Sequence, residues 1–347
     1  MKILNISLDK NITDKNSAIA ERIVEYGKIT EKYTVLALDG KSGKIVNFFK
    51  IFLKASQILK NEKYDVITAQ DIYFLGWLAV KLARKFKIGL EVQVHGFEKF
   101  WGIRKMLAKY VLKNADAVRV VSQRLRQKMI QEFGVAEEKI TVVPIYTSQK
   151  FVKSRPVGGQ APVKSNNDKF IFLTVGRLAP VKNIKMQIDA MKNIVKKYSQ
   201  VELWIVGDGE LSQKLKVQSQ KSDVGDKIKF MGWQKDLSKY YSQADTFLLT
   251  SNSEGWGMVV VEAAQFGLPI IMTDVGLAGE IIKDGDGGIV IPIEDQDKLE
   301  KAMIKIIADK NLRKKLGNSA REAIKKLPTK EETLELYKQS WTKVLKK

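Results

Sequence analysis

The sequence predicts an α/β protein built from two doubly wound parallel-sheet domains that face each other across a cleft. Two observations predict it. Strand-like runs and amphipathic helical runs alternate along nearly the whole chain, and the alternation breaks once, at a stretch rich in Pro, Gly, Ser and Asn. The length agrees, because 347 residues exceed what one hydrophobic core usually organises.

In the first series the strand candidates are 2–8, 33–38, 65–69, 89–95, 117–121 and 140–143. Amphipathic stretches such as 17–26, 45–59 and 103–113 lie between them. Residues 144–168 then change character. The second series places strands at 169–175, 201–206, 227–231, 246–250, 269–273 and 288–291. The expected domains are therefore 1–150 and 169–329, with a linker at 151–168. A last helix, 330–347, follows Pro328 and is expected to pack back on the first domain. Open parallel sheets bind ligands beyond the C-terminal ends of their strands, so the loops there are the ones to read.

Composition narrows the chemistry. There is no cysteine, so disulfides, thiolate metal sites and a cysteine nucleophile are excluded. One histidine, His95, leaves little for a metal site. No stretch is long and apolar enough to span a bilayer, and the N-terminus does not read as a signal peptide. The expectation is a cytoplasmic protein, soluble or peripheral at the inner face of the cell membrane. Lys and Arg number 60 against 39 Asp and Glu, and residues 1–150 carry 27 basic against 15 acidic residues. That excess fits nucleic acid, an anionic membrane surface, or a Lys-rich proteome with no specific partner. No nucleic-acid motif is present, so nucleic acid is not an expected partner.

The most informative run is 250–269, TSNSEGWGMVVVEAAQFGLP. Glu254 and Glu262 flank a glycine-rich elbow between a strand and a helix. Glu254 is expected in the loop and Glu262 about two turns into the helix. The amides that open such a helix, with its positive dipole end, suit an anion. Strand 169–175 runs into Gly176-Arg177-Leu178-Ala179-Pro180-Val181-Lys182. Arg177 and Lys182 there suit a diphosphate clamp, one a planar fork and the other a compact charge, the blander reading being two of the sixty surface cations. Gly207-Asp208-Gly209 follows the next strand as a truncated dinucleotide fingerprint, read as a tight turn lining the same cleft. His95 closes a strand of the first domain, which places it at the cleft.

Other features have blander readings. Asp284/Asp286 and Asp295/Asp297 match a D-x-D metal pattern on paper. The first reads as a turn and the second as a helix cap ahead of 298–307. The stretch 103–113 puts Ile103, Met106, Leu107, Tyr110 and Val111 on one face; 45–60 places Phe48, Phe49 and Phe52 among lysines. Both read as core-facing helices. With Phe97, Phe100 and Trp101 nearby, they also suit anionic lipid headgroups.

Taken together, 176–182, 207–209, the Glu254–Glu262 pair and the His95-Gly96 strand end resemble the retaining family 4, or group 1, glycosyltransferases of the GT-B fold, built of two Rossmann-like domains. The resemblance spans almost the whole chain and is strongest over 169–293. It implies metal-independent, cofactor-free transfer of a sugar from a UDP- or GDP-sugar to a glycan or lipid-linked acceptor, the first domain being the acceptor side. It implies that Gly176, Arg177, Lys182 and Gly207 surround the donor diphosphate and that Glu262 holds the ribose. Glu254 would face sugar hydroxyls, with the amides of Gly257, Met258 and Val259 alongside. Gly232 and Trp233 would flank the base, and His95 would lie near the transferring centre. Of these, His95, Glu254, Arg177 and Lys182 are expected to serve catalysis. The chain departs from the family in the glycine-free segment SLDKNITDKNSAIAERI and in Pro144-Ile145-Tyr146. A nucleotide-sugar 2-epimerase of the same fold, or a non-catalytic basic protein binding lipid or nucleic acid, are the alternative readings.

Overall fold

A computed structural model of the chain describes residues 1–7, 17–37, 44–96, 102–146 and 169–345. It divides into two compact units, Met1–Ser148 with Pro328–Lys347, and Gln149–Leu327. The linker expected at 151–168, most of the glycine-free segment, and Phe97, Phe100 and Trp101 lie outside the described residues.

In the first unit the strands are β1 (Lys2–Ser7), β2 (Lys32–Ala37), β3 (Val66–Ala69), β4 (Gly89–Val94), β5 (Ala117–Val120) and β6 (Ile140–Val142). They form one parallel sheet in the order β2-β1-β3-β4-β5-β6. The crossovers are α1 (Ala18–Lys28), α2 (Lys44–Asn61), α3 (Phe74–Phe86), α4 (Gly102–Asn114) and α5 (Gln123–Phe133). Strands β3 and β5 are buried at every position. A sheet covered by helices on both faces demands continuous rather than alternating burial. Short polar residues set the helix starts: Ser17 accepts from the Ala20 amide, and Ser122 from the Leu125 amide.

The second unit holds β7 (Phe170–Val175), β8 (Val201–Val206), β9 (Ile228–Gly232), β10 (Thr246–Leu249), β11 (Ile270–Thr273), β12 (Lys283–Asp284) and β13 (Gly287–Ile291). Its helices are α6 (Ile184–Lys197), α7 (Ser212–Gln220), α8 (Ser238–Gln243), α9 (Met258–Gln265), α10 (Gln296–Ala308) and α11 (Lys310–Ile324). The sheet order is β12-β13-β11-β10-β7-β8-β9. The chain steps outward from β7 through β9 and then returns to β10 on the other side. The loops after β7 and β10 therefore diverge, and the crevice between them is a topological switch point.

The last helix, α12 (Lys330–Leu345), packs on β4, β5 and β6 of the first unit. It inserts Leu334, Tyr337, Trp341 and Val344 into a core with Ile3, Tyr26 and Val66. Each such apolar side chain contributes about 1.5–3 kcal/mol when fully buried. Among the described residues, no helix is long and apolar enough to cross a membrane.

Candidate active site

Gly176 and Arg177 leave the end of β7. The chain then runs through Pro180–Lys182, a single 3-10 turn, into α6. The Arg177 guanidinium is exposed, with no side-chain partner among the described residues. Lys182 reaches across the switch point and its Nζ donates to Oε1 of Glu254, in the loop after β10. The same oxygen accepts from Ser251 Oγ at 2.7 Å. The two loops are stitched together below this pair. The Asn252 amide donates to Val181 O at 2.7 Å, and Thr250 Oγ1 donates to Lys182 O at 3.2 Å. Gln187 Nε2 donates to Thr250 Oγ1 at 2.8 Å.

Gly207, at the end of β8, has φ +132° and donates its amide to Gly232 O at 2.8 Å. A Cβ there would sit 2.0 Å from Gly176 O. Only glycine permits that approach, so the β8 turn presses against the β7 loop. Asp208 O then accepts from the Leu178 amide at 2.9 Å, bracing Arg177's neighbour. The turn expected of this truncated fingerprint is therefore a tight one. Gly232 closes β9, and the Trp233 side chain beside it is 71% exposed.

Gly257 opens α9, and the amides of Met258 and Val259 lie in its first turn, where a helix supplies no acceptor for them. Glu262 sits just over one turn into α9, not two, because the helix begins only at Met258. Its Oε2 accepts from the Tyr241 hydroxyl at 2.8 Å. Burial raises the Glu262 carboxyl above the usual carboxylate range, and the Tyr241 hydrogen bond partly opposes this. Burial, then Glu262, pushes the Tyr241 hydroxyl well above its ordinary value.

His95 belongs to the other unit, immediately after β4. Its Nε2 lies 3.0 Å from Oε1 of the buried Gln93. Surrounding protein, then the charges of Arg119 and Arg22, lower its pKa to about 4, so the ring is neutral at pH 7. Behind Gln93 runs a buried polar chain. Gln93 Nε2 donates to Thr68 Oγ1 at 2.7 Å, and Thr68 donates to Glu91 Oε2 at 2.5 Å. Glu91 is fully buried and pairs with Arg119 Nε at 3.1 Å. It also accepts from the Ser340 hydroxyl and from Trp341 Nε1 at 3.3 Å, both on α12.

The acidic pairs behave as turn and cap. Asp284 Oδ1 accepts from the Val290 amide at 3.0 Å, and Asp295 caps α10 through the Lys298 amide at 2.8 Å. That helix starts at Gln296, slightly before the expected 298. Among the described residues, no three His, Asp or Glu side chains converge as metal ligands. The basic helices depart from a purely core-facing reading. Ile103 and Met106 are 72% and 71% exposed, and Phe49 and Leu53 are 62% and 66% exposed. Helix α4 buries Ala108, Val111 and Leu112 instead.

Two family models match the chain in succession. "Glycosyltransferase Family 4" matches residues 25–145, and "Glycosyl transferases group 1" matches residues 160–323. The chain belongs to the group 1 glycosyltransferases. It is 28% identical over 287 residues to an Escherichia coli UDP-Gal:alpha-D-GlcNAc-diphosphoundecaprenol alpha-1,3-galactosyltransferase, spanning 77% of this chain and 73% of the relative. Sucrose-phosphate synthase of Thermosynechococcus elongatus superposes with a TM-score of 0.81 at 21% identity, over 99% of each chain. S. aureus TarM, solved in complex with UDP, matches with a TM-score of 0.65 at 20% identity, over 84% of this chain and 59% of that longer one. The fold is GT-B.

In this glycosyltransferase, eleven of the twelve residues singled out from the sequence lie at the strand ends of the second unit: Gly176, Arg177, Lys182, Gly207, Gly232, Trp233, Glu254, Gly257, Met258, Val259 and Glu262. His95 alone lies in the first. Sequence reasoning missed the partners that hold them. Tyr241 orients Glu262 from a different helix. Asn183 Nδ2 donates to Asn252 Oδ1 at 3.3 Å, joining the β7 and β10 loops. Gly276, with φ +57°, lets the following loop press on the elbow: a Cβ would lie 2.4 Å from Trp256 O. The one available signal was glycine after a strand, in Thr273-Asp274-Val275-Gly276.

Proposed function

We propose that this glycosyltransferase moves a sugar, with retention of anomeric configuration and without a metal, from a UDP- or GDP-sugar to a hydroxyl of a glycan or lipid-linked acceptor. The carrying observation is the Lys182–Glu254 link across the switch point, with the Arg177 guanidinium open beside it. An ammonium has three hydrogens, so Lys182 can hold Glu254 and a phosphate oxygen together. Glu254 then faces hydroxyls of the donor sugar, and Glu262 accepts from the ribose hydroxyls. Gly232 and Trp233 offer a backbone edge and an aromatic face to the base.

The leaving diphosphate gains negative charge as the glycosidic bond breaks. Arg177, Lys182 and the first amides of α9 stand where that charge develops, and preorganised donors of this kind supply about 3 kcal/mol each. The acceptor hydroxyl attacks from the face the diphosphate leaves, through an oxocarbenium-like state, and the departing phosphate takes its proton. The glycosidase scheme of a carboxylate nucleophile and a carboxylic acid is not assigned to Glu254 and Glu262. The printed activity of the Escherichia coli relative, transfer from UDP-Gal to a diphosphoundecaprenol-linked sugar, supports a lipid-linked acceptor here.

The first unit supplies a surface for that acceptor's membrane. Phe49, Leu53, Phe74, Ile103 and Met106 are all more than half exposed on α2, α3 and α4. Lys85 lies over Phe52, and Arg84 over Tyr110, tying α3 to both neighbours. Each Lys or Arg near an anionic leaflet contributes about 1 kcal/mol. Incubation with labelled UDP- and GDP-sugars and an undecaprenyl-linked acceptor, with product and anomer analysis, tests transfer. Only hydrolysis or epimerised donor would overturn it, and complete loss in EDTA restored by Mn²⁺ would overturn metal independence. Sedimentation with phosphatidylglycerol vesicles at low salt, lost at high salt, tests docking; equal binding to neutral vesicles would refute it.

A further inference from the structure

We propose that the buried polar chain from α12 to β4 locks His95 in its Nε2–H tautomer, which makes Gln93 and Thr68 positioning residues for that ring. The lock is a property of the first unit alone. Its purpose, presenting Nδ1 to a hydroxyl of the bound sugar, rests on the glycosyltransferase reading of the site.

The hydrogen bonds leave one assignment. Glu91 is the ion-pair partner of Arg119 and is an acceptor only. Thr68 has one hydroxyl hydrogen and gives it to Glu91. Toward Gln93, Thr68 can therefore only accept, so the Gln93 amide nitrogen faces it. The Gln93 amide oxygen is then the end that meets His95, at 3.0 Å from Nε2. An amide oxygen only accepts, so Nε2 carries the hydrogen. Turning Gln93 over would set its amide oxygen against Thr68 Oγ1, whose one hydrogen is already given to Glu91, leaving two acceptors with no hydrogen between them. Gln93 is 3% exposed and Thr68 is fully buried, so water cannot absorb that mismatch. Glu91 is itself held by Arg119, Ser340 and Trp341, which anchors the far end of the chain.

The consequence is a selection of ligand chemistry. In the neutral ring Nδ1 keeps its lone pair and accepts from a hydroxyl. It has no hydrogen to give a phosphate oxygen. The depressed pKa supports this, since the imidazolium, which would donate from both nitrogens, is disfavoured at neutral pH. Nδ1 of His95 thus suits a hydroxyl hydrogen rather than a phosphate oxygen.

His95 is the chain's single histidine, so long-range ¹⁵N–¹H correlation of the labelled full chain reads one ring only. The wild type should show ring nitrogens at the limiting positions of a single tautomer, with the pyrrole-type signal on the nitrogen coupled to both ring protons. Thr68→Val, nearly isosteric, should move both signals toward tautomer-averaged positions, and Thr68→Ser should restore the limits. Averaged signals in the wild type, a pyrrole-type Nδ1, or no change in Thr68→Val would overturn the lock. Saturating donor that turns over should move the pyridine-type signal upfield. A donor that turns over without moving it would overturn the hydroxyl assignment. Absence of turnover with every nucleotide sugar would instead count against the proposed function, with the tautomer result standing on its own. Thr68→Val should also lower kcat several-fold with little change in donor KM, and Thr68→Ser should recover it.

Discussion

The two units share a parallel, doubly wound topology, yet they hold their ligand-facing groups by different means. The second unit sets its loops with the backbone, and short side-chain bonds such as Tyr241 to Glu262 add to it. Gly207 abuts Gly176, Gly276 abuts Trp256, and short bonds such as Asn252 to Val181 O lock the two loops of the switch point. The first unit uses side chains. His95 is reached through Gln93, Thr68 and Glu91 from Ser340, which lies 249 residues beyond Glu91 in the chain. A backbone-built site depends on local turns. A side-chain chain depends on elements that meet only after folding, and its failure should be global.

That contrast predicts the largest effect at Glu91. Glu91→Ala leaves Arg119 buried without its partner, and urea unfolding should show a loss of about 3–5 kcal/mol. The apolar replacement of both partners, Glu91→Leu with Arg119→Met, should recover most of it, because the costly element is the unpaired charge. A loss under about 1 kcal/mol for Glu91→Ala would remove the network as the fastening of α12.

Next come Lys182→Ala and Glu262→Ala in the second unit. Each should cut transfer by about 10²-fold or more while circular dichroism and the melting transition stay near wild type. Near-normal turnover in either folded variant would break the diphosphate-and-ribose reading. Gly207→Ala should follow, costing about 1–3 kcal/mol as the added carbon forces the β8 turn off Gly176. Donor affinity measured by calorimetry should fall with it; unchanged affinity would show that the close approach is only structural.

The smallest effect concerns pH. The His95 pKa is lowered in the folded chain to about 4, against about 6.5 for an unperturbed imidazole. Between those values the unfolded chain binds a proton that the folded chain does not. Stability linked to His95 is therefore full above about pH 6.5 and declines as pH falls toward 4. His95→Gln should flatten that part of the wild-type stability profile, and an identical slope in the two proteins would contradict the depressed pKa. Other acids titrate in the same window, so the difference between the two proteins is the quantity to measure.

Much of this was legible in the residues. Continuous, mainly apolar runs such as Ile3–Ile6 and Ile171–Val175 identify parallel strands, because a strand covered on both faces has no polar side. Gly176-Arg177, Gly207 and the Glu254–Glu262 elbow identify the loops, because backbone turns and cations at strand ends are local signals. The depth of Glu262 in α9 was misjudged by about a turn, since the apolar period does not show where the helix begins. The exposure of Ile103 and Met106 was left between two readings for a related reason: an apolar face is visible in sequence, but what covers it is not.

The sequence by itself determined the two-domain parallel architecture, the switch-point loops and the charge and residue types placed there. Tertiary structure alone decided that Lys182 pairs with Glu254, that Tyr241 holds Glu262, and that α12 closes a polar chain ending at His95. Hydrophobic periodicity and turn chemistry act between near neighbours and survive in a linear reading. Hydrogen bonds between Thr68, Glu91, Arg119 and Ser340 are chosen by which strands and helices become adjacent, and burial then makes each of those choices obligatory.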